Sequence, residues 1–215
     1  MNREITVMLV DDHAVVRAGY RLLLARAGNI EVVSEASRGE EACQYYLEHR
    51  PAVTVMDLNL PGIGGLAAVG RIVGRDPAAK ILVFSIHDEP VYVARALEAG
   101  ALGYISKSCA PEVLVEAVRK IARGERFVEP EIARKLAARD CAKNAGATGL
   151  GGLSAREFDI FRLLAQGLTT REVAEELRLG HKTVANYSTL LKNKLNARTA
   201  AEMARIAYAS GVLKP

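Results

Sequence analysis

Short apolar runs rich in β-branched side chains alternate with segments of helical periodicity over the first 125 residues or so. The strand-like runs are Ile5–Val10, Glu31–Ala36, Val53–Asp57, Lys80–Ser85 and Leu102–Ser106. The helical segments that follow them are Val15–Ala27, Glu40–His49, Leu66–Arg75, Val91–Ala99 and Pro111–Arg123. This alternation predicts an α/β fold, a doubly wound parallel sheet of the (βα)5 type with helices on both faces.

Polar side chains stand where four of these strands end. They are Asp11 and Asp12 after the first, Asp57 in the third, Ser85 in the fourth and Lys107 after the fifth. Because parallel strands bring their carboxyl ends to one edge of a sheet, we expect these groups to meet. Three neighbouring carboxylates repel one another unless a cation is present, and Mg²⁺ suits such oxygen ligands. Carboxylate, metal, ammonium and hydroxyl together indicate phosphoryl transfer onto Asp57.

Each of these residues also has an ordinary interpretation. Asp11 and Asp12 precede a helix, where acidic residues cap the first turn and interact with the helix dipole. Lys107 alone is most simply a solvated lysine, and Ser85 alone carries little information. The phosphoryl-transfer hypothesis depends on their common position at strand ends.

A connector follows the fifth helical segment. Pro130–Arg139 has the pattern of a short helix, and the stretch from Asp140 to Gly152 contains four glycines. Such composition is typical of a flexible tether, although an ordered loop packed between domains is the alternative.

The last part of the chain predicts four helices. Two Ser/Thr-x-x-Glu capping boxes, at Ser154–Glu157 and Thr169–Glu172, open the first two. A tight turn leads to the third, Lys182–Leu195, and the fourth is Ala200–Ser210. Two short helices joined by a turn, the second rich in lysine, indicate helix-turn-helix DNA binding. The alternative is a small helical bundle with a solvated polar face.

Charge separates the two parts of the chain. Of the net charge of +4, all lies in residues 150–215, with ten Lys/Arg and six Asp/Glu, as expected if that part contacts a polyanion. No apolar run approaches the ~18 residues of a membrane span, and we recognise no export signal. Three cysteines, an odd number without metal-ligand spacing, favour reduced thiols in a cytoplasm.

Four segments taken in order resemble the receiver domain of bacterial two-component response regulators. They read Val-Asp-Asp-His, Met-Asp-Leu-Asn-Leu-Pro-Gly, Phe-Ser-Ile-His and Gly-Tyr-Ile-Ser-Lys. The resemblance implies that Asp57 is the phosphoacceptor, with metal ligands from Asp11, Asp12, Asp57 and the backbone carbonyl of Asn59. It further implies a switch hydroxyl at Ser85, a phosphate-pairing Lys107 and a switch aromatic at Tyr104. Many relatives have proline where Ser108 stands, often after a cis bond. A cis bond before a non-proline residue is costly, so none is assumed before Ser108, and the sequence leaves the geometry of this loop open.

Three segments of the last part of the chain resemble the LuxR-type effector domain. They read Leu-Ser-x-Arg-Glu, Arg-Glu-Val-Ala-Glu-Glu-Leu and Lys-Thr-Val-Ala-Asn-Tyr. With the receiver, the chain resembles the NarL/FixJ family, and its segment from His87 to Ala137 looks closest to the UhpA branch. The resemblance implies base-facing positions at Ala185, Asn186 and Thr189. The remaining DNA-contacting positions are Lys182, Thr183, Lys192 and Lys194, the lysines being expected on phosphates. Ala185 departs from the basic residue common in relatives, and Gly180 replaces a common serine cap.

These observations predict a cytoplasmic transcription regulator with a receiver domain over residues 1–125, a connector over 126–149 and a DNA-binding domain over 150–215. A sensor histidine kinase would phosphorylate Asp57 in the presence of Mg²⁺, leading to homodimerisation and promoter binding. The protein would be no enzyme beyond self-phosphorylation and self-dephosphorylation. Two alternatives stay open, a phosphorylation-independent dimerisation module and a Mg²⁺-dependent phosphohydrolase that acts on outside substrates.

Overall fold

The computed structural model of the chain describes residues 4–143 and 149–213. The chain forms two compact units, one comprising Met1–Asp88 with Tyr92–Arg134 and the other Glu89–Val91 with Lys135–Pro215. Among the described residues, no helix combines the length and apolar character that a membrane span requires.

The first unit is built on a parallel sheet with the strand order β2-β1-β3-β4-β5-β6. The strands are β1 (Ile5–Val10), β2 (Ile30–Ala36), β3 (Val53–Met56), β4 (Ile81–Ser85), β5 (Gly103–Ser106) and β6 (Phe127–Val128). The predicted α/β fold is confirmed, with one addition. Strand β6, which the sequence pattern did not reveal, pairs in parallel with the first two residues of β5.

Five helices cover this sheet within one or two residues of their predicted bounds. They are α1 (Ala14–Arg26), α2 (Gly39–His49), α3 (Gly65–Arg75), α4 (Pro90–Glu98) and α5 (Pro111–Ala122). Strands β1, β3, β4 and β5 are buried along nearly their whole length, because helices lie on both faces. On one face, α1 and α5 share a core with the central strands through Leu24, Leu114 and Ile121.

The described part of the second unit is helical, as predicted. Its elements are α6 (Pro130–Lys143) from Lys135 onward, a short 3₁₀ helix (Gly149–Gly152), α7 (Ala155–Ala165), α8 (Thr170–Glu176), α9 (His181–Leu195) and α10 (Ala200–Ala209). Both predicted capping boxes are present, with the Ser154 and Thr169 side chains accepting from backbone N–H groups three residues on.

The predicted glycine-rich tether needs partial correction. Helix α6 continues to Lys143, past the predicted end at Arg139, and residues 149–152 form the 3₁₀ helix. Ala142 and Lys143 favour continuation of a helix that has already begun, so α6 extends into the first residues of the stretch. The middle of the predicted tether, with Gly146, lies outside the described residues.

Candidate functional sites

A buried ion-pair cluster lies at the carboxyl edge of the sheet. Asp11 follows β1, Asp57 follows β3 and Lys107 follows β5, so the parallel topology brings all three to one place. The Lys107 ammonium lies 2.6 Å from Asp11 Oδ2 and 2.6 Å from Asp57 Oδ2. Asp11 and Asp57 are 4% and 3% exposed. The Lys107 ammonium is therefore shared between two carboxylates that have almost no access to water.

Burial and pairing act in opposite directions on these groups. Burial raises the pKa of Asp57 above its usual value, and the adjacent Lys107 offsets this only in part. For Lys107, burial alone would lower the pKa, but the carboxylates of Asp57 and Asp11 outweigh it and raise the pKa. The lysine therefore stays protonated at neutral pH and provides a fixed positive charge beside the carboxylate of Asp57.

The donor set beside this cluster fits a hard divalent cation. Ligand atoms of Asp11, Asp12 and His13 lie within 4.8 Å of one another, and Asp12 and His13 are exposed. The His13 N–H donates to Asp11 Oδ1 (2.8 Å), and its Nδ1 lies 2.8 Å from Asp12 Oδ1. Carboxylate oxygens open to solvent suit Mg²⁺, which retains several waters. Sequence reasoning had not included His13 in this group.

A hydrogen-bonded network connects the loop after β3 with the loop after β4. Ser85 and Tyr104 are fully buried. Ser85 Oγ accepts from the His87 N–H (3.3 Å), and the Tyr104 hydroxyl donates to the His87 carbonyl (2.6 Å). The His87 ring stacks on Tyr92 at 4.2 Å, and its Nε2 lies 3.1 Å from Asn59 Oδ1. Sequence reasoning quoted His87 only within a motif, and its central position comes from the structure.

Backbone bonds fix the geometry around Asp57 and Lys107. The Asn59 N–H donates to Asp57 Oδ1 (3.2 Å), and the Lys107 N–H donates to the Ser85 carbonyl (2.8 Å). The peptide bonds of the described residues are all trans, including the one between Lys107 and Ser108. Ser108 Oγ lies 2.7 Å from Ser106 Oγ, which ties down the loop in place of a proline.

Helix α9 has one buried face and one polar face. Val184 and Leu191 are fully buried against the rest of the unit. The opposite face carries residues at i, i+3, i+4 and i+7, namely Lys182, Ala185, Asn186 and Thr189. Thr183 is exposed and Lys192 is half-buried. Thr189 Oγ1 donates to the Ala185 carbonyl (3.2 Å), so the hydroxyl already has one partner within the helix.

Lys194, predicted to contact phosphate, has an internal partner. Its Nζ lies 2.7 and 2.9 Å from the two carboxylate oxygens of Glu157, a residue that is 4% exposed at the start of α7. Burial raises the pKa of Glu157, but hydrogen bonds from Lys194 and from the Ser154 N–H outweigh it, and the pKa lies below its usual value. Lys194 therefore joins α9 to α7 through a charged pair.

Helix α10 places two of its apolar residues in the core of the second unit. Met203 is 2% and Ala207 is 0% exposed. Ile206 is half-buried. Met203 and Ala207 therefore stabilise this unit by core packing.

Comparisons with known proteins identify both units. The model of the response regulator receiver domain matches residues 7–119, and the model of the bacterial regulatory proteins of the luxR family matches residues 152–207. The transcriptional activator protein ExaE of Pseudomonas putida is 42% identical over 212 residues, covering 97% of this chain and 98% of ExaE. The response regulator UvrY of Escherichia coli is 36% identical over 208 residues, covering 97% of this chain and 95% of UvrY.

A solved structure is also similar. The crystal structure of a LuxR-family two-component response regulator from Aurantimonas sp. SI85-9A1 is 43% identical, with a TM-score of 0.63. The match covers 64% of this chain and 99% of that structure.

Proposed function

The chain belongs to the two-component response regulators of the NarL/FixJ type, which join a receiver domain to a LuxR-type DNA-binding domain, and we propose that phosphorylation of Asp57 controls its binding to promoters. It is a DNA-binding transcription regulator. The observation that carries the proposal is the position of Asp57, a buried carboxylate whose Oδ2 is 2.6 Å from a protonated lysine. The cognate sensor histidine kinase would be the phosphoryl donor.

In the proposed transfer, a carboxylate oxygen of Asp57 attacks the phosphorus of a phosphohistidine. The O–P bond of an acyl phosphate forms as the N–P bond to the donor imidazole breaks, and the imidazole takes up a proton. Mg²⁺, held by Asp11, Asp12, Asp57 and the Asn59 carbonyl, would supply positive charge to the phosphoryl oxygens when bound. Lys107, already placed beside Asp57 Oδ2, would hold a phosphoryl oxygen on the other side.

The proposed switch starts at Ser85. A charged phosphoryl oxygen on Asp57 would accept a strong hydrogen bond from the Ser85 hydroxyl. That hydrogen bond would draw the loop after β4 toward Asp57. Since Ser85 Oγ holds the His87 N–H, this movement would also shift the His87 carbonyl, to which Tyr104 donates. Tyr104 would then lose its present partner and change orientation. The result favours one of two receiver states and thereby dimerisation.

For DNA binding, we propose that α9 lies in the major groove, with Asn186 and Thr189 toward base edges and Lys182 on phosphate. Thr183 and Lys192 border the same surface. A homodimer presents two such helices, which predicts a promoter with two related half-sites. ExaE is a transcriptional activator, and we propose activation for this regulator as well.

The finer assignments belong to the same proposal. The predicted domain boundaries at 125 and 150 enclose both matched segments. The resemblance to the UhpA branch and the cytoplasmic location remain predictions. Phosphohydrolase activity on outside substrates is the less favoured function, because nothing in the sequence supplies a substrate-binding cap.

Incubation with acetyl phosphate and Mg²⁺, followed by phosphate-affinity electrophoresis, tests the proposal. We expect the wild type and the control Glu98→Gln, an exposed carboxylate on α4, to take up one phosphoryl group that hydroxylamine removes. Asp57→Asn should take up none. Labelling of Asp57→Asn would refute the assignment, an unlabelled wild type would favour the phosphorylation-independent module, and sustained turnover of p-nitrophenyl phosphate would favour the phosphohydrolase.

Light scattering with Mg²⁺ and beryllofluoride, which stands in for the phosphoryl group, tests the link to assembly. The wild type should shift from monomer to dimer, and Asp57→Asn should stay monomeric. A dimer of the same stability in both proteins would separate assembly from phosphorylation.

A further inference from the structure

Glu129 stands at the junction between β6 and α6, and its backbone takes part in both elements. Its N–H donates to the Tyr104 carbonyl (3.0 Å), which continues the pairing of β6 with β5. Its carbonyl accepts from the Ala133 N–H (2.9 Å), as the residue before a helix does, and Pro130, which has no N–H, begins α6. The strand therefore ends and the helix begins at a single residue.

The side chain of Glu129 replaces an acceptor that the end of β6 withdraws from the sheet. In a parallel ladder, a carbonyl accepts from the N–H of the residue that follows its cross-strand partner. Val128 pairs with Tyr104, so a continued strand would direct the Glu129 carbonyl to the Ser106 N–H. Because α6 uses that carbonyl, Glu129 Oε2 accepts from the Ser106 N–H instead (2.9 Å). Ser106 is 4% exposed, so water has little access to this N–H.

Ser106 is the fixed point of the loop that carries Lys107. The Lys107 N–H donates to the Ser85 carbonyl (2.8 Å), and the next two N–H groups of the chain donate to Ser106, at Oγ (3.2 Å) and at the carbonyl (3.1 Å). The N–H of Ser106 itself is held by Glu129. The Lys107 ammonium, 2.6 Å from Asp57 Oδ2, extends from this loop. Glu129 therefore lies two steps from the buried ion pair.

We propose that Glu129 is a positioning residue, which holds Ser106 and thereby Lys107, and that its hydrogen bond connects the state of Asp57 to the start of α6. The inference rests on the proposed phosphorylation of Asp57 and adds a route from that site to the connector. When a phosphoryl oxygen becomes the partner of Lys107, the peptide between Ser106 and Lys107 moves with the side chain. That movement weakens the bond to Glu129, and the first turn of α6 loses the support of its preceding residue.

The connection acts in both directions, because the coupling free energy between two sites is reciprocal. A substitution that removes the acceptor at Glu129 leaves the Ser106 N–H buried without a partner, which is costly and favours a different course of the loop. Lys107 is then displaced from the position at which it meets a phosphoryl oxygen. The rate of phosphorylation therefore depends on a residue of the connector, although Glu129 acts only through Ser106.

Three variants of the full chain separate positioning from general destabilisation. Glu129→Ala removes the acceptor, whereas Glu129→Gln keeps an amide oxygen that can accept from the same N–H. Glu131→Ala is the matched control, because it removes an exposed acid from the first turn of α6, two residues away. Urea unfolding of each variant gives the conditions under which all of them are folded.

Labelling by acetyl phosphate in Mg²⁺, over a range of acetyl phosphate concentrations, tests the positioning of Lys107. Glu129→Ala should reduce the maximal rate about tenfold and leave the half-saturating concentration unchanged, since a displaced Lys107 is missed chiefly in the transition state. Glu129→Gln should keep about half of the wild-type rate or more, and Glu131→Ala should match the wild type. A general loss of stability would not produce this order under conditions in which every variant is folded.

Hydrogen exchange followed by mass spectrometry, with and without Mg²⁺ and beryllofluoride, tests the connection to α6. We expect beryllofluoride to speed exchange over residues 127–134 in the wild type and in Glu129→Gln. In Glu129→Ala this segment should exchange fast in both states, because the bond that phosphorylation weakens is already absent.

Four results would overturn the proposed role of Glu129. They are wild-type behaviour of Glu129→Ala, equal losses in Glu129→Ala and Glu131→Ala, a Glu129→Gln variant as slow as Glu129→Ala, and exchange over residues 127–134 of the wild type that beryllofluoride leaves unchanged. A wild type that acetyl phosphate does not label at Asp57 would overturn the proposed function instead, so the two failures are distinguishable.

Discussion

The ion pair between Lys194 and Glu157 gives a decisive test of what the lysines of α9 do. Lys194→Met removes the ammonium and keeps most of the aliphatic side chain. If Lys194 holds α9 against α7, the substitution should lower the stability of the second unit and leave the number of DNA phosphate contacts unchanged. If Lys194 contacts phosphate instead, the substitution should lower the number of DNA phosphate contacts and leave the stability of the second unit unchanged. Lys182→Met, on the exposed face of the same helix, is the matched comparison.

The expected magnitude follows from the geometry. Two hydrogen bonds reach a carboxylate that is 4% exposed, and loss of one partner of a fully buried pair costs about 3–5 kcal/mol. The side chain of Lys194 is 40% exposed, however, so water screens the pair and can replace the ammonium. The Ser154 N–H also continues to bind Glu157. We therefore expect Lys194→Met to reduce the free energy of unfolding of this unit by about 1–2 kcal/mol.

Two measurements separate the roles. Fluorescence anisotropy with duplex DNA over a range of salt concentrations gives the number of phosphate contacts, and loss of one contact lowers the slope of log K against log[salt] by about 1. Lys182→Met should show that decrease, and Lys194→Met should not. Hydrogen exchange followed by mass spectrometry should show faster exchange in α7 and α9 for Lys194→Met alone. A lower salt slope with unchanged exchange in Lys194→Met would refute this reasoning.

Three further predictions concern the pocket and the pH dependence of stability. Lys107→Met leaves two buried carboxylates without a cation, so unfolding in EDTA should become easier by about 3 kcal/mol, and Mg²⁺ should stabilise this variant more than the wild type; an equal Mg²⁺ effect in urea unfolding would contradict this. In Gly65→Ala the methyl group would overlap the Asp57 carbonyl oxygen, costing about 1–3 kcal/mol and slowing labelling by acetyl phosphate, whereas Gly70→Ala, in open space on the same helix, should stabilise by about 0.5–1 kcal/mol without affecting labelling. Because the pKa of Glu157 is lowered by folding, its contribution is present above its unfolded pKa of about 4.3 and is lost as the pH falls through the folded value; the stability difference between wild type and Glu157→Gln should therefore shrink from pH 7 to pH 3, and a constant difference would count against the pairing.

The fold and the grouping of Asp11, Asp57 and Lys107 were accessible from sequence for one reason. Alternating strands and helices force a parallel sheet, and a parallel sheet brings strand ends together irrespective of the details of packing. Strand β6 was not accessible, because Phe127–Val128 is too short to show a period of two and is defined only by its pairing with β5. Helix α6 was predicted too short because a glycine-rich composition obscured the helix-forming residues before it.

Contacts between side chains that are distant in the chain could not be predicted from the sequence either. Periodicity places Lys194 outside the apolar stripe of α9, as it does Lys182, but it cannot indicate that Glu157, on another helix, lies within hydrogen-bonding distance. His87 presents the same difficulty, since its contacts with Asn59, Tyr92 and Tyr104 all come from other segments of the chain. Such contacts depend on tertiary structure, and a single sequence contains no pattern for them.

The start of α9 has a consequence for attempts to imitate or block this helix. Helices α7 and α8 begin with complete capping boxes, whereas α9 begins at Gly180 without any side-chain cap. Its order comes from the burial of Val184 and Leu191 and from the charged pair with α7. A synthetic peptide of 15 residues with this sequence would lack the burial of both side chains and the charged pair. It would be largely unfolded in water, since short uncapped helices are marginal. Competitive inhibitors of promoter binding would therefore have to include the folded unit, or a chemical staple that replaces the contacts with α7.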